Sequence, residues 1–190
     1  MNYNGSGRTK VKSGVLAAMF AALTCIATMI IKFPTIGTSG YINIGDCMVL
    51  LSAWILGNPY GAIAAALGSG LADLLSGYAF FVPGTVFIKF LMAFLAAVIA
   101  KAAEKAFNRR MNKSTEKTLD SRLVICILSG IVAEIIMVAG YFVYEAVILG
   151  YGFAAVTAVV SNLIQGTVCI LAGTVVYTTL SKLSLIKDIQ

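Results

Sequence analysis

Six apolar runs, at positions 13–33, 46–56, 60–77, 83–100, 123–149 and 153–180, occupy most of the chain, and its basic residues fall almost wholly between them. Twelve of the fourteen lysines and arginines lie in three clusters: Arg8, Lys10 and Lys12; Lys101, Lys105, Arg109, Arg110, Lys113, Lys117 and Arg122; Lys182 and Lys187. With 59% hydrophobic and 12% charged residues, against about 45–50% and 25% in soluble domains, the chain has too few charges to cover a water-exposed surface. The pattern predicts an all-α integral membrane protein, a bundle of six transmembrane helices in a lipid bilayer. The net charge of +6 is spread over helix ends rather than gathered on one face, so no nucleic-acid partner is expected.

Threading six spans from a cytoplasmic N-terminus puts all three clusters on the cytoplasmic side and leaves the opposite loops, at 34–40, 78–82 and 150–152, without a lysine or arginine, as the positive-inside rule requires. The expected organisation is a polar cytoplasmic tail at 1–12, disordered in its Gly-rich part at 2–8, a membrane domain at 13–182 with a cytoplasmic loop at 101–122, and a tail at 183–190. No cleavage site follows the first basic cluster, so the first apolar run is expected to remain as a helix. The second run covers only roughly 17 Å at 1.5 Å per residue, too little for a hydrocarbon core of about 30 Å. It is expected to be a partial or tilted helix entered by ordered chain. The Gly- and Thr-rich stretch at 34–45 before it reads as a loop that covers a cavity, since irregular backbone at membrane depth needs protein around it.

The sequence contains no histidine, which excludes Ser-His-Asp and Cys-His catalysis and most zinc sites. Cys25, Cys47, Cys126 and Cys169 are scattered through apolar runs and read as small buried residues. Gly5-Ser6-Gly7-Arg8-Thr9-Lys10 lacks the spacing of a phosphate loop, and no strand precedes it. The loop at 101–122, with Glu104, Glu116 and Asp120 among its bases, reads as a helical extension and solvated connector. No ATPase, no other enzyme, no cofactor and no metal is expected.

Ionisable groups inside the spans are the functional candidates, because burying a charge in lipid costs about 2.5–3.5 kcal/mol even on the lenient insertion scale. Counted from the outer helix ends, Lys89 lies roughly 9 Å deep, Asp73 and Glu145 roughly 6 Å, and Asp46 at the rim; Asn162, Gln165 and Glu134 lie roughly 14, 18 and 22 Å deep and suit a pocket floor. Glu134, Val138, Tyr141 and Glu145 share one face of the fifth helix, and Thr157, Ser161 and Gln165 one face of the sixth, beside Asn162 and Cys169. Lys89, among apolar neighbours, needs a partner, which Asp46 or Asp73 supplies; contact with a ligand and a purely structural ion pair are both open. Lys32 is expected to snorkel to the interface.

Small residues make a second pattern. Gly61, Ala65, Gly68 and Ala72 on the third helix suit close packing within the bundle, while the adjacent pairs Ala17/Ala21 and Ala18/Ala22 on the first offer more smooth surface than one internal neighbour requires, and so point to a partner's helix.

Together these features resemble the substrate-binding S components of energy-coupling factor (ECF) vitamin transporters. The likeness is carried by the alanine pairs and by Tyr41-Ile42-Asn43-Ile44-Gly45-Asp46, then Gly57-Asn58-Pro59-Tyr60-Gly61-Ala62, Gly68-Ser69-Gly70-Leu71-Ala72-Asp73, Pro83-Gly84-Thr85 and Ile88-Lys89. It implies a multi-pass protein of a prokaryotic cell membrane that captures a vitamin-like small molecule at the outer face. Uptake would be driven by two cytoplasmic ATPase subunits through a transmembrane coupling subunit, docked on Ala17, Ala18, Ala21 and Ala22. The expected ligand site draws on Tyr41, Asn43, Asp46, Asp73, Lys89, Glu134, Tyr141, Tyr144, Asn162 and Gln165, with Tyr78, Phe80 and Phe81 as aromatic faces. Both signs of charge, hydroxyls, amides and rings suit a neutral, planar, hydroxylated heterocycle, pyridoxine- or hydroxymethylpyrimidine-like first and riboflavin second. The rival readings are a self-sufficient secondary carrier or small channel, against which stands the lack of an internal repeat, and an intramembrane enzyme, against which stands the dispersal of the carboxylates.

Overall fold

The computed structural model describes residues 4–35, 38–110 and 119–182. Among the described residues six α-helices form one bundle: α1 (Asn4–Ile30), α2 (Gly45–Leu56), α3 (Tyr60–Leu75), α4 (Val82–Arg110), α5 (Leu119–Val143) and α6 (Ala155–Lys182). Four helical segments, Lys10–Ile30, Val82–Arg109, Ser121–Ile148 and Gly152–Lys182, are long and apolar enough to cross a membrane, whereas α2 and α3 are shorter. Large apolar side chains stand outward along the long helices, among them Met19, Leu23, Phe87, Ile135, Leu171 and Val175. An exterior of this kind is stable only in lipid.

Helix α2 is the core of the bundle. Ten of its twelve residues are buried, and it packs against α1, α3, α4 and α6. A helix apolar on all sides belongs in the interior, and Val49, Leu50, Met92, Ala93 and Met137 fill the space around it with no exposed area. Small residues let the neighbours close in. A Cβ at Gly61 would sit 2.4 Å from the Ser52 carbonyl oxygen and one at Gly68 2.4 Å from that of Ala21, so the small-residue stripe of α3 is used inside the bundle, against α2 and α1. The turn after α2 stops partway along the longer helices: Asn58 Nδ2 donates to the Phe94 carbonyl at 2.9 Å, roughly 18 Å from the start of α4 at 1.5 Å per residue.

Several expectations are revised. The Gly-rich segment expected to be disordered is already helical from Asn4, because it continues the register of a long apolar helix. The stretch read as a loop before α2 contains a two-stranded antiparallel hairpin, β1 (Lys32–Pro34) and β2 (Tyr41–Asn43), pairing Lys32 with Asn43 and Pro34 with Tyr41. Phe33 is therefore in a strand, not at the end of a helix. The helical extension expected after the fourth span reaches Arg110; Lys113, Lys117 and Glu116, with the tail at 183–190, lie outside the described residues. The fifth apolar run ends in a π-helical turn, Tyr144–Ile148, and a 3-10 turn, Gly152–Ala154, leads into α6.

Candidate functional site

Where the hairpin meets the ends of α3, α4 and α5, it covers a narrow cavity lined by side chains from every helix except α2. Seven of the ten residues expected from the sequence line it: Tyr41, Asn43, Asp73, Lys89, Tyr141, Asn162 and Gln165. Thr28, Thr35, Ser69, Phe81, Thr85 and Glu145 complete the wall. The free space is about 30 Å³, room for a water molecule or two, so a larger molecule needs the wall to move.

The wall is a hydrogen-bonded frame. Asp46 is 1% exposed and lies behind the wall, where it pairs with the Lys89 ammonium and accepts from Gln165 Nε2 at 2.5 Å. It is not at the rim. The hairpin leads the chain into the bundle before α2 begins, so a depth counted from the first residue of α2 starts too far out. Gln165 Oε1 in turn accepts from the Asn43 backbone N–H at 2.6 Å, and Asn43 Oδ1 from that of Gly45 at 2.7 Å. The hairpin is thereby tied to α6. Its other tie runs to α3, where the Tyr41 hydroxyl donates to Asp73 Oδ1 at 2.5 Å. Burial and the adjacent Asp73 carboxylate push the Tyr41 phenol up from its ordinary pKa, which keeps it a donor.

Lys89 both pairs with Asp46 and faces the cavity, with its ammonium 5.3 Å from the centroid of the Tyr141 ring, a cation–π distance. The Tyr141 hydroxyl lies 2.9 Å from Thr85 Oγ1. At the mouth, Tyr41 and Tyr78 pack with ring centroids 4.7 Å apart. Lys32 does not snorkel outward: its ammonium lies 5.1 Å from the Tyr41 centroid and bonds the Ser76 hydroxyl, because the strand turns it back over the mouth.

Three expected residues stand elsewhere. Asp46 braces the wall from behind. Tyr144 clamps the π-helical turn to α4, donating to the Phe80 carbonyl at 2.7 Å with its ring against Gly84, where a Cβ would be 2.7 Å from it. Glu134 is not on the cavity wall; it packs against Gly166, and neither of its carboxylate oxygens has a hydrogen-bond partner among the described residues. On α6 the inward face is Ala158, Asn162, Gln165 and Cys169, while Thr157 is exposed and bonds back to the Ala154 carbonyl. The residues not expected from the sequence carry a signal that finds them. Ser69/Asp73, Thr85/Lys89 and Tyr141/Glu145 are polar pairs four apart, each on one helix face.

The alanine pairs of α1 divide. Ala17 is buried and Ala21 half-buried against α3, whereas Ala18 and Ala22 are exposed. No three of His, Cys, Asp and Glu come together as a metal site would need among the described residues.

A second cavity, of about 710 Å³, opens at the other end of the bundle beyond the short helices, lined by Trp54, Phe94, Lys101, Arg122 and Tyr177 among others. It is the larger of the two. The smaller has the converging polar groups that fix a ligand's orientation.

The fold is an apolar helical bundle with a polar cavity beneath a hairpin. The family described as ECF-type riboflavin transporter, S component, matches residues 8–182, and the chain belongs to it. Two solved structures share the fold. One, described as the S component of a bacterial ECF transporter, is 22% identical with a TM-score of 0.58, covering 92% of this chain and 98% of that one. The other, the S-component for biotin from an ECF-type ABC transporter, is 19% identical with a TM-score of 0.62, covering 96% and 95%. A protein of Pyrococcus woesei described as an uncharacterized protein in a gap 3' region is 38% identical over 64 residues, which span 34% of this chain and 43% of that protein.

Proposed function

We propose that the cavity beneath the hairpin captures a vitamin-like, single-ring heterocycle of the pyridoxine or hydroxymethylpyrimidine type at the outer face. The loaded protein then delivers it through an ECF transmembrane coupling subunit driven by two cytoplasmic ATPase subunits. The observation that carries this reading is the convergence of hydroxyl, amide, carboxylate, ammonium and aromatic groups from five helices and the hairpin on one narrow space. A site with so little free volume opens less for one ring than for three. Riboflavin is the second reading, favoured by the description of the matching family. Six spans with both termini cytoplasmic, and a coupling helix seated on Ala18 and Ala22, complete the proposal. The basic residues of the long helices, Lys10, Lys12, Lys101, Lys105, Arg109, Arg122 and Lys182, all lie toward the ends away from the cavity, which supports that orientation.

The test is mass spectrometry of the small molecule that copurifies with the protein, followed by calorimetry of that molecule on folded variants. Asn43→Ala, Tyr141→Ala and Asn162→Ala are each expected to weaken binding by about 1–3 kcal/mol through a lost buried hydrogen bond. Unchanged affinity in all three would move the site out of this cavity. Impermeant thiol reagents should label a cysteine introduced at Gly150 from outside and miss one at Lys113; the reverse pattern would invert the orientation.

A further inference from the structure

The groups buried in and around the cavity are unequal in charge. Asp46, Asp73, Glu134 and Glu145 are all 5% exposed or less, and Lys89 is the single buried cation among the described residues. Asp46 takes Lys89 for itself, and Asp73 accepts hydrogen bonds from Tyr41 and Thr85. Glu134 is off the wall. Glu145 differs from all three: it lines the cavity, it is 3% exposed, and its Oε2 has no hydrogen-bond partner among the described residues.

Its position is built by the backbone. The π-helical turn Tyr144–Ile148 carries it, closed by Leu149 N–H donating to the Tyr144 carbonyl and Tyr151 N–H to that of Glu145, both at 3.0 Å. Such turns widen a helix locally and often occur at functional sites. Here the widening faces Glu145 into the protein while Val147 and Ile148 are 70% and 66% exposed. The hairpin holds the other side of the carboxylate. Thr38 faces it, and Gly40 makes room, since a Cβ there would come to 3.2 Å from Oε1. Oε1 thus faces the hairpin, and Oε2 is left without a donor among the described residues at the cavity wall. A buried acceptor without a donor is costly, and a ligand able to supply that donor removes the cost.

We infer that Glu145 Oε2 is the receptor for a nitrogen-borne proton of the ligand, either a protonated ring nitrogen or a ring amino group. This rests on the cavity being the ligand site, and it narrows the ligand class from hydroxylated heterocycles in general to nitrogen bases presenting an N–H. It also sets a sign: with Asp73 and Glu145 on the wall beyond the Asp46–Lys89 pair, a phosphorylated form of the same ring brings its anion against acids.

The experiment is calorimetry on detergent-purified protein with four probes: pyridoxine, 4-amino-5-hydroxymethyl-2-methylpyrimidine, the carbocycle in which CH replaces the ring nitrogen of pyridoxine, and pyridoxine 5'-phosphate. Wild type is expected to bind at least one of the two nitrogen bases tightly, and to bind the carbocycle and the phosphate at least tenfold more weakly. In Glu145→Gln the preference over the carbocycle should shrink at least tenfold. Equal wild-type affinity for base and carbocycle overturns the assignment, and that comparison stands even if Glu145→Gln does not fold. Equal weakening of both probes by Glu145→Gln assigns the residue to lid packing instead and likewise overturns it. Binding weakened by Asn162→Ala but untouched by Glu145→Gln rejects this inference and keeps the cavity, whereas binding untouched by either rejects the cavity itself. No binding of either nitrogen base rejects the ligand class, leaving the site to be judged on the copurified molecule.

Discussion

Helix α2 begins and ends in two different kinds of interior. At its first turn, Asp46 sits in a polar frame with Lys89 and Gln165. Two turns on, Trp54 is packed against the edge of Tyr177 with ring centroids 5.7 Å apart, and its indole N–H donates to Ser129 at 3.0 Å. The second region is apolar, with Leu50, Met92, Met137 and Cys126 packed in one core, and at its edge Trp54, Cys126 and Tyr177 border the larger second cavity. The first is assembled from charges that need one another, and it leaves one acid oxygen at the cavity wall without a donor among the described residues. A membrane protein can pack an apolar interior by shape alone, because lipid and core are equally apolar. Polar interiors are kept only where a ligand or a specific partner repays the burial.

Breaking the polar end should have the larger effect. Lys89→Ala leaves Asp46 buried without its counter-charge and is expected to destabilise the protein by about 3–5 kcal/mol, read as a lowered midpoint of thermal unfolding in micelles. Pairing it with Asp46→Asn should recover most of that loss, and a double variant as unstable as the single one would show that packing, not charge, holds this end. At the apolar end, Trp54→Phe removes one buried donor and should cost about 1 kcal/mol with ligand affinity unchanged; a matching fall in affinity would mean that the two ends are not independent. Ala18→Leu and Ala22→Leu stand outside both interiors, on the exposed face of α1. Stability and ligand binding should stay within about 0.5 kcal/mol of wild type, while copurification with the coupling subunit and ATP-dependent uptake are lost. Normal uptake by both would remove this face as the docking surface.

The two ends also differ in how far the sequence reveals them. The helices themselves are legible because lipid demands uninterrupted apolar runs, and the short second run was bound to be a partial helix on length alone. Inward-facing polar residues four apart are legible too, as Ser69/Asp73 and Thr85/Lys89 show. What a linear reading misses is set by the chain's path. Counting depth along α2 places Asp46 at the surface, since nothing in the sequence says that a hairpin has already carried the chain inside. Helical periodicity likewise assigns Thr157 to the face of Gln165, although α6 presents Ala158 and Asn162 inward instead. Tyr144 resembles a ligand contact in composition and is a clamp in space, because the π-helical turn shifts its register by part of a turn.

The hairpin is held shut by two ties on opposite sides, Tyr41 to Asp73 on α3 and Asn43 to Gln165 on α6. If the cavity is the ligand site, as proposed, a molecule larger than water displaces the wall that these ties brace. Entry therefore waits on a conformational step, so association falls below the rate set by diffusion and saturates at high ligand concentration. Escape waits on the same step. Affinity at such a site is expressed mainly as residence time, which lets a capture protein hold a scarce molecule long enough to meet its transport machinery.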